Sequence, residues 1–192
     1  MELKIKNLSK AFGNLKVLNQ VSVTLPSGPI HCLMGPSGSG KTTFLRILLE
    51  LEQADSGTIE GLRGIRASAV FQEDRLCEAF SPVENVAMVL PGSVSRNRKG
   101  AYDELLSLLP EESLSRPVST LSGGMKRRVA IVRALSAPSD MIVMDEPFTG
   151  LDEATKGSVI RYILNRSAGK LVIVSTHQEE DVGLLNGIIV RL

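Results

Sequence analysis

The stretch GPSGSGKTT, from Gly35 to Thr43 (Gly35, Pro36, Ser37, Gly38, Ser39, Gly40, Lys41, Thr42, Thr43), places three glycines and a lysine directly after the apolar run Ile30–Met34. Gly35, Gly40, Lys41 and Thr42 fit the pattern G-x-x-x-x-G-K-S/T. PIHCLM before it reads as a buried strand and TTFLRILLELE after it as a helix, which is the context a phosphate-binding loop requires. The glycines let backbone N–H groups turn inward and approach an anion closely. Lys41 adds a point charge between β- and γ-phosphates, the Thr42 hydroxyl is placed for Mg²⁺, and the following helix aims its positive end at the phosphates. The stretch is small because phosphate must lie against backbone. The bland alternative is a glycine-rich turn with an accidental lysine, and at average composition such a string arises in roughly 1% of chains this long.

Working outward, ELKIKNL and VLNQVSVTL are β-rich with partial alternation, SGTIEG and ASAVFQ are short strands, and DMIVMDEP, KLVIVST and GIIVRL are later strands. SPVENVAMVL reads as a helix capped by Ser81 with Pro82 at its first position. RKGAYDELLSLL is an amphipathic helix, and GSVSRNRKG between the two reads as a polar, basic loop. SGGMKRRVAIVRALS is a helix with Met125, Val129, Val132 and Leu135 at helical spacing. EATKGSVIRYILNRS and EEDVGLL are further helices. Strands alternating with helices predict an α/β fold, a mainly parallel sheet in a three-layer sandwich with an antiparallel N-terminal β subdomain. The helical block from about Glu73 to Leu121 breaks the alternation. The chain 1–192 therefore reads as a single domain with 73–121 as an inserted helical subdomain.

MIVMDEP ends an apolar strand in two carboxylates. In a parallel sheet the C-terminal strand edge faces the ligand crevice. Asp145 is then placed to hold the magnesium water shell, and Glu146 to act as general base or to orient water beside the γ-phosphate. Alone, such a strand end reads as a chain leaving its core; beside a phosphate loop it reads as chemistry.

Composition sets the outer bounds. With 192 residues, 43% hydrophobic and 22% charged, the chain has the material for a sizeable core. A net charge of +1 offers no argument for nucleic acid as a partner or for an anionic membrane surface. No apolar run approaches the roughly 18 residues needed to span a bilayer, and MELKIKNLSK lacks a signal-peptide apolar segment. Cys32 and Cys77 form no close-spaced motif and read as reduced cysteines of a cytosolic protein. The mean hydropathy of +0.10 fits either a large core or a surface patch for a partner.

LSGGMKRRVAIVRAL, lying between the phosphate loop and VMDEP, resembles the signature region of the ATP-binding cassette (ABC) ATPases, and the likeness extends over nearly the whole chain. Gln72 in VFQED is similar to the family's glutamine loop, Asp152 in TGLDEAT to its D-loop, and His177 in VSTH to its switch histidine. Phe12 matches the position of an adenine-stacking ring. Met125 and FQEDRL resemble importers of the nitrate, sulfonate and taurine type. Met125, Gly150 and Phe12 depart from commoner residues without removing a catalytic group.

The resemblance implies an ATP-hydrolysing subunit of a membrane transporter, peripheral at the cytoplasmic face of the cell membrane and driving a separate permease. ATP and Mg²⁺ are the implied ligands, with Thr42, Gln72 and Asp145 toward the metal and Lys41, Gln72, Glu146 and His177 in catalysis. Two copies would pair head to tail around two ATP, with Ser122, Gly123 and Gly124 of one clamping the γ-phosphate held by Lys41 of the other. The alternative is a soluble ABC ATPase acting without a permease, although such proteins usually carry coiled-coil insertions or two cassettes. A non-hydrolysing module would be expected to lack Glu146 or His177, and a small-molecule kinase has no use for LSGG. Leu76, Cys77, Phe80, Val83 and Val86 either form an exposed permease-docking groove or pack the inserted subdomain's own core. His31 has no motif around it.

Overall fold

Three pentapeptides, β3 (Ile30–Met34), β6 (Met141–Asp145) and β7 (Leu171–Ser175), are buried at every residue. Continuous apolar runs of this kind suit strands covered on both faces, as in a parallel sheet. The computed structural model, which describes residues 1–192, places them in a five-stranded sheet. Its order is β5-β6-β7-β3-β8, with β5 at Ala67–Val70 and β8 at Ile188–Arg191. Both β6 and β3 run parallel to β7, and β8 runs parallel to β3. A second sheet joins β1 (Glu2–Phe12) antiparallel to β2 (Leu15–Pro26) and to β4 (Ser56–Glu60). The expected α/β class and the antiparallel N-terminal sheet are both present.

In β1 the buried residues are Leu3, Ile5 and then Leu8, so the period of two slips by one. The cause is a register shift between Ile5 and Leu8, with Asn7 at φ 52° and its N–H donated to Ser22 Oγ at 2.8 Å. A bulge of this kind returns the next apolar side chain to the core face. Leu3, Ile5, Leu8, Leu18 and Leu25 then pack in one cluster with Leu33, Met141, Val143, Leu171 and Ile173. The cluster also holds Phe44, Leu45, Ile47 and Leu48 of α1 (Lys41–Leu48). His31, 3% exposed, places Nε2 2.8 Å from the Pro26 carbonyl, a satisfied core histidine.

The chain divides into two compact units: Met1–Ala69 with Ser139–Glu146 and Ser167–Leu192, and Val70–Pro138 with Pro147–Arg166. The first holds both sheets, α1 and α6 (Glu179–Leu184). The second holds α2 (Pro82–Ala87), α3 (Val94–Leu106), α4 (Gly123–Ser136) and α5 (Glu153–Arg166). Ser81 caps α2 in a reciprocal box with Glu84, as its position before Pro82 predicts.

Two expectations change in the second unit. GSVSRNRKG is not a loop, because α3 begins at Val94. The Ser93 hydroxyl accepts the Arg96 N–H, and Asn97 Nδ2 donates to the carbonyls of Ala87 and Leu90. Those bonds cap one helix and satisfy the end of the one before it, while Arg96, Arg98 and Lys99 stay in solvent, so polarity here marks a helix face. Val83 and Val86 are 7% and 0% exposed, where α2 packs on α3 and α4, and so belong to the unit's core. Cys77 and Phe80 remain exposed and Leu76 is half-buried.

Candidate nucleotide site

The first unit brings the phosphate loop to the C-terminal edge of the parallel sheet. Gly40, at φ 93°, turns the chain from the loop into α1. A Cβ there would meet the Val17 carbonyl oxygen at 2.6 Å, so Gly40 demands glycine, whereas one on Gly35 would press on Ser39 Oγ at 2.5 Å, a hydroxyl that would have to rotate away. Helix α1 has no side-chain cap and no acidic residue in its first turn, which leaves its N-terminal N–H groups facing the loop. Lys41, 7% exposed, arches back and donates to the Gly35 and Pro36 carbonyls at 2.7 and 3.0 Å. Ser39 N–H closes a turn onto the Pro36 carbonyl at 3.1 Å, and Ser39 Oγ is buried without a partner. Ser37 and Gly38 form the exposed tip, and Thr43 is half-buried on α1.

From this loop a hydrogen-bonded relay crosses to the acidic strand end. Thr42 Oγ1 donates to Asp145 Oδ2 at 2.7 Å. Ser175 Oγ donates to Asp145 Oδ1 at 2.6 Å and accepts the Glu146 N–H at 2.8 Å. Asp145 and Ser175 are register partners on β6 and β7, which is what sets them side by side. No sequence motif singles out Ser175. Its signal is a lone hydroxyl ending an otherwise apolar strand two residues before His177. Glu146 has φ 48°, a left-handed conformation unusual for a residue with a side chain, and the turn brings its carboxylate within 4.0 Å of His177 Nδ1. His177 is exposed. Its backbone is steadied by Thr176, whose hydroxyl donates to buried Asp181 and accepts the Gln178 N–H. Phe12, at the end of β1, is 49% exposed with Lys10 Nζ 5.0 Å from its ring centroid, so it is not a core residue.

The remaining candidates lie in the second unit. Ser122 caps α4, its hydroxyl accepting the Met125 N–H at 3.3 Å, with Gly123 and Gly124 forming the first turn. Asp152 precedes α5 and accepts from the N–H and hydroxyl of Thr155 at 2.9 and 2.7 Å, bonds that hold its carboxyl below the ordinary range. Gln72 is exposed in the segment that follows β5.

Comparison with known proteins identifies the family. The profile of the ABC transporter family matches residues 18–149. The sulfate/thiosulfate import ATP-binding protein CysA of Neisseria meningitidis is 34% identical over 200 residues, covering 94% of this chain and 56% of that protein. Its counterpart in Escherichia coli K12 is 34% identical over 199 residues, covering 94% and 54%. The chain thus spans about half the length of these relatives. Among solved structures, the ATP-binding cassette MJ0796, captured as a dimer with ADP and phosphate, superposes with a TM-score of 0.86 at 29% identity, covering 99% of this chain and 94% of that one. With the phosphate loop, the acidic strand end and the LSGG helix in the family's order, the chain belongs to the ABC transporter family.

Proposed function

We propose that the chain binds ATP with Mg²⁺ and hydrolyses it as the ATP-binding subunit of a membrane transporter, two copies pairing around two nucleotides. The observation that carries this reading is the relay Thr42–Asp145–Ser175–Glu146, which fixes the Thr42 hydroxyl, the Asp145 carboxylate and the backbone of Glu146 at the mouth of the phosphate loop. Thr42 and Asp145 offer hard oxygen donors 2.7 Å apart, a set that fits Mg²⁺. Bound Mg²⁺ would neutralise charge on the phosphates. Lys41, already aimed at the loop's carbonyls, holds the β- and γ-phosphates. Glu146 orients and takes a proton from the attacking water, and His177 beside it steadies the γ-phosphate. Phe12, exposed at a strand end, stacks on adenine. Gln72 would supply a further oxygen ligand to the metal. Ser122, Gly123 and Gly124 present an accessible helix start to the nucleotide of a second copy, and Asp152 shapes the adjoining turn. The dimer of MJ0796 with ADP and phosphate supports that pairing.

No helix is long and apolar enough to cross a membrane; the reading pairs this subunit, at the cytoplasmic face, with a separate permease, which the likeness to import ATP-binding proteins supports. Residues 73–121 read as the inserted subdomain that meets it, with Leu76, Cys77 and Phe80 as the accessible apolar positions. Import is the favoured direction because the similar CysA proteins are import proteins. The narrower likeness to nitrate, sulfonate and taurine importers rests on Met125 and FQEDRL. Phosphate release by the wild type, Lys41→Ala and Glu146→Gln tests the reading. Each substitution should cost about 10²–10³ in rate, and Glu146→Gln should sediment as a dimer with ATP and as a monomer without it. Variants within a few-fold of wild type would overturn these roles.

A further inference from the structure

The segment Phe71–Phe80 carries Gln72, yet neither helix nor strand orders it between Val70 and Pro82. Its first residues are held instead by side chains of α4, whereas residues 77–80 are held by the Asn85 side chain of α2 and by the backbone N–H groups of Val118 and Ser119. Arg127, 7% exposed, donates from Nη1 to the Phe71 carbonyl at 2.6 Å and from Nη2 to the Gln72 carbonyl at 2.5 Å, while its Nε lies 3.2 Å from Asp74 Oδ1. Arg133 adds a bond to the Asp74 carbonyl at 3.3 Å, and Lys126 pairs with Glu78 at 3.2 Å. These contacts are unequal. Glu78 is two-thirds exposed, so its pair with Lys126 contributes little. Arg127 is desolvated, and its rigid planar fork reaches two consecutive carbonyls and the Asp74 carboxylate at once; a lysine ammonium can bridge two carbonyls, as Lys41 does, but lacks the planar fork that serves all three.

We propose that Arg127 is the positioning residue for Gln72. Its guanidinium fixes the Gln72 backbone to α4, the helix that begins at Ser122, so the side chain reaching for the metal and the helix start that meets a second nucleotide move as one piece. This rests on the reading of Gln72 as a metal-directed residue. The rival account makes Arg127 only a buried ion-pair partner of Asp74. In that case the carboxylate matters and the carbonyl bonds do not.

The test compares Arg127→Lys and Asp74→Asn in the full chain with two readouts. The first is tryptic cleavage after Arg75, normalised to the unfolded chain of each variant, which reports opening of the segment whether or not ATP is hydrolysed. The second is the Mg²⁺ concentration for half-maximal ATP turnover, set against ATP affinity without Mg²⁺. Loss of the fork should raise both cleavage at Arg75 and the Mg²⁺ requirement about tenfold, the scale of a hydrogen bond to a charged group. Mg²⁺-free ATP affinity should stay within about twofold. Asp74→Asn keeps the fork and should match wild type in both readouts. If Arg127→Lys fails to fold, Arg127→Gln carries the same comparison. Wild-type cleavage and Mg²⁺ dependence in the Arg127 variant would overturn the proposal. So would equal shifts in Asp74→Asn, or a parallel loss of Mg²⁺-free affinity. A wild type that never hydrolyses ATP would defeat the ATPase reading alone, and cleavage at Arg75 would still decide the role of Arg127.

Discussion

Ser175→Ala probes the acidic strand end more sharply than removal of either carboxylate, because it deletes one oxygen and leaves every proposed reacting group in place. Ser175 is 0% exposed. Its hydroxyl makes two bonds, one donated to a carboxylate at 2.6 Å and one accepted from the Glu146 N–H at 2.8 Å. A bond to a charged group is worth about 1.5–3 kcal/mol, and an abandoned buried donor costs about 1–3 kcal/mol. The two effects overlap, and Asp145 keeps the Thr42 hydroxyl, so a loss of about 3 kcal/mol is expected. At about 2–4 °C per kcal/mol for a chain of this size, the melting temperature should fall by about 6–12 °C. Catalysis should suffer separately. Glu146 sits at φ 48°, a conformation that costs a side-chain-bearing residue about 1–2 kcal/mol. The bond to Ser175 offsets that cost. Released, the residue can relax toward extended backbone and carry its carboxylate away from the water it orients. A displacement on the order of 1 Å can cost about 10²-fold in rate, so turnover at saturating ATP should drop about 10- to 100-fold. ATP affinity should hold, because Lys41 and the loop are untouched. Steady-state phosphate release, nucleotide titration and a thermal melt decide it. Wild-type turnover with an unchanged melt would refute the relay, and a fall in affinity matching the fall in rate would refute the separation of binding from water orientation.

The two thiols should behave oppositely. Cys77 should react with a thiol reagent in the native protein, and Cys32, which is 0% exposed, only after unfolding. Burial, and then the Asp181 charge, push the Cys32 thiol up to about 11 from an ordinary 9.0. Its stabilising contribution is therefore complete below about pH 9 and lost as the pH rises toward about 11. Melts of wild type and Cys32→Ala across that window should converge as the pH rises, and parallel curves would contradict it. Phe80→Glu should fold normally because Phe80 is 47% exposed, whereas Val83→Glu, at a 7% exposed position, should lose about 3 kcal/mol or more by chemical denaturation. Equal stability of the two would reverse their assignment to surface and core.

Much of the fold is legible in the sequence because its strands are extreme. Ile30–Met34, Met141–Asp145 and Leu171–Ser175 are nearly unbroken apolar runs flanked by turn or helix signals, and a doubly covered parallel strand needs little more. Where local chemistry competes with composition, the legibility falls. Ser93 and Asn97 turn a basic stretch into the start of a helix through bonds that depend on where α2 ends. Val83 and Val86 could line either a groove or a core by their pattern, and only the packing of α2 on α3 and α4 decides between them.

At the site, the same distinction separates the phosphate loop from the relay behind it. Gly35, Gly40, Lys41 and Thr42 lie within eight consecutive residues, so their spacing alone encodes a loop geometry. Asp145 and Ser175 are thirty residues apart and meet only because β6 and β7 pair in a register that sets them opposite each other. A slip of one residue would turn the serine to the other face of the sheet, leaving Asp145 without that donor and the Glu146 N–H without that acceptor. The left-handed turn at Glu146 is equally invisible to sequence, since nothing about a Glu before Pro147 announces a positive φ. Such strain persists where its surroundings over-determine it. Here the Ser175 bond and the sheet register hold the backbone, so the proposed water-orienting carboxylate is positioned by the parallel sheet itself rather than by the mobility of a loop.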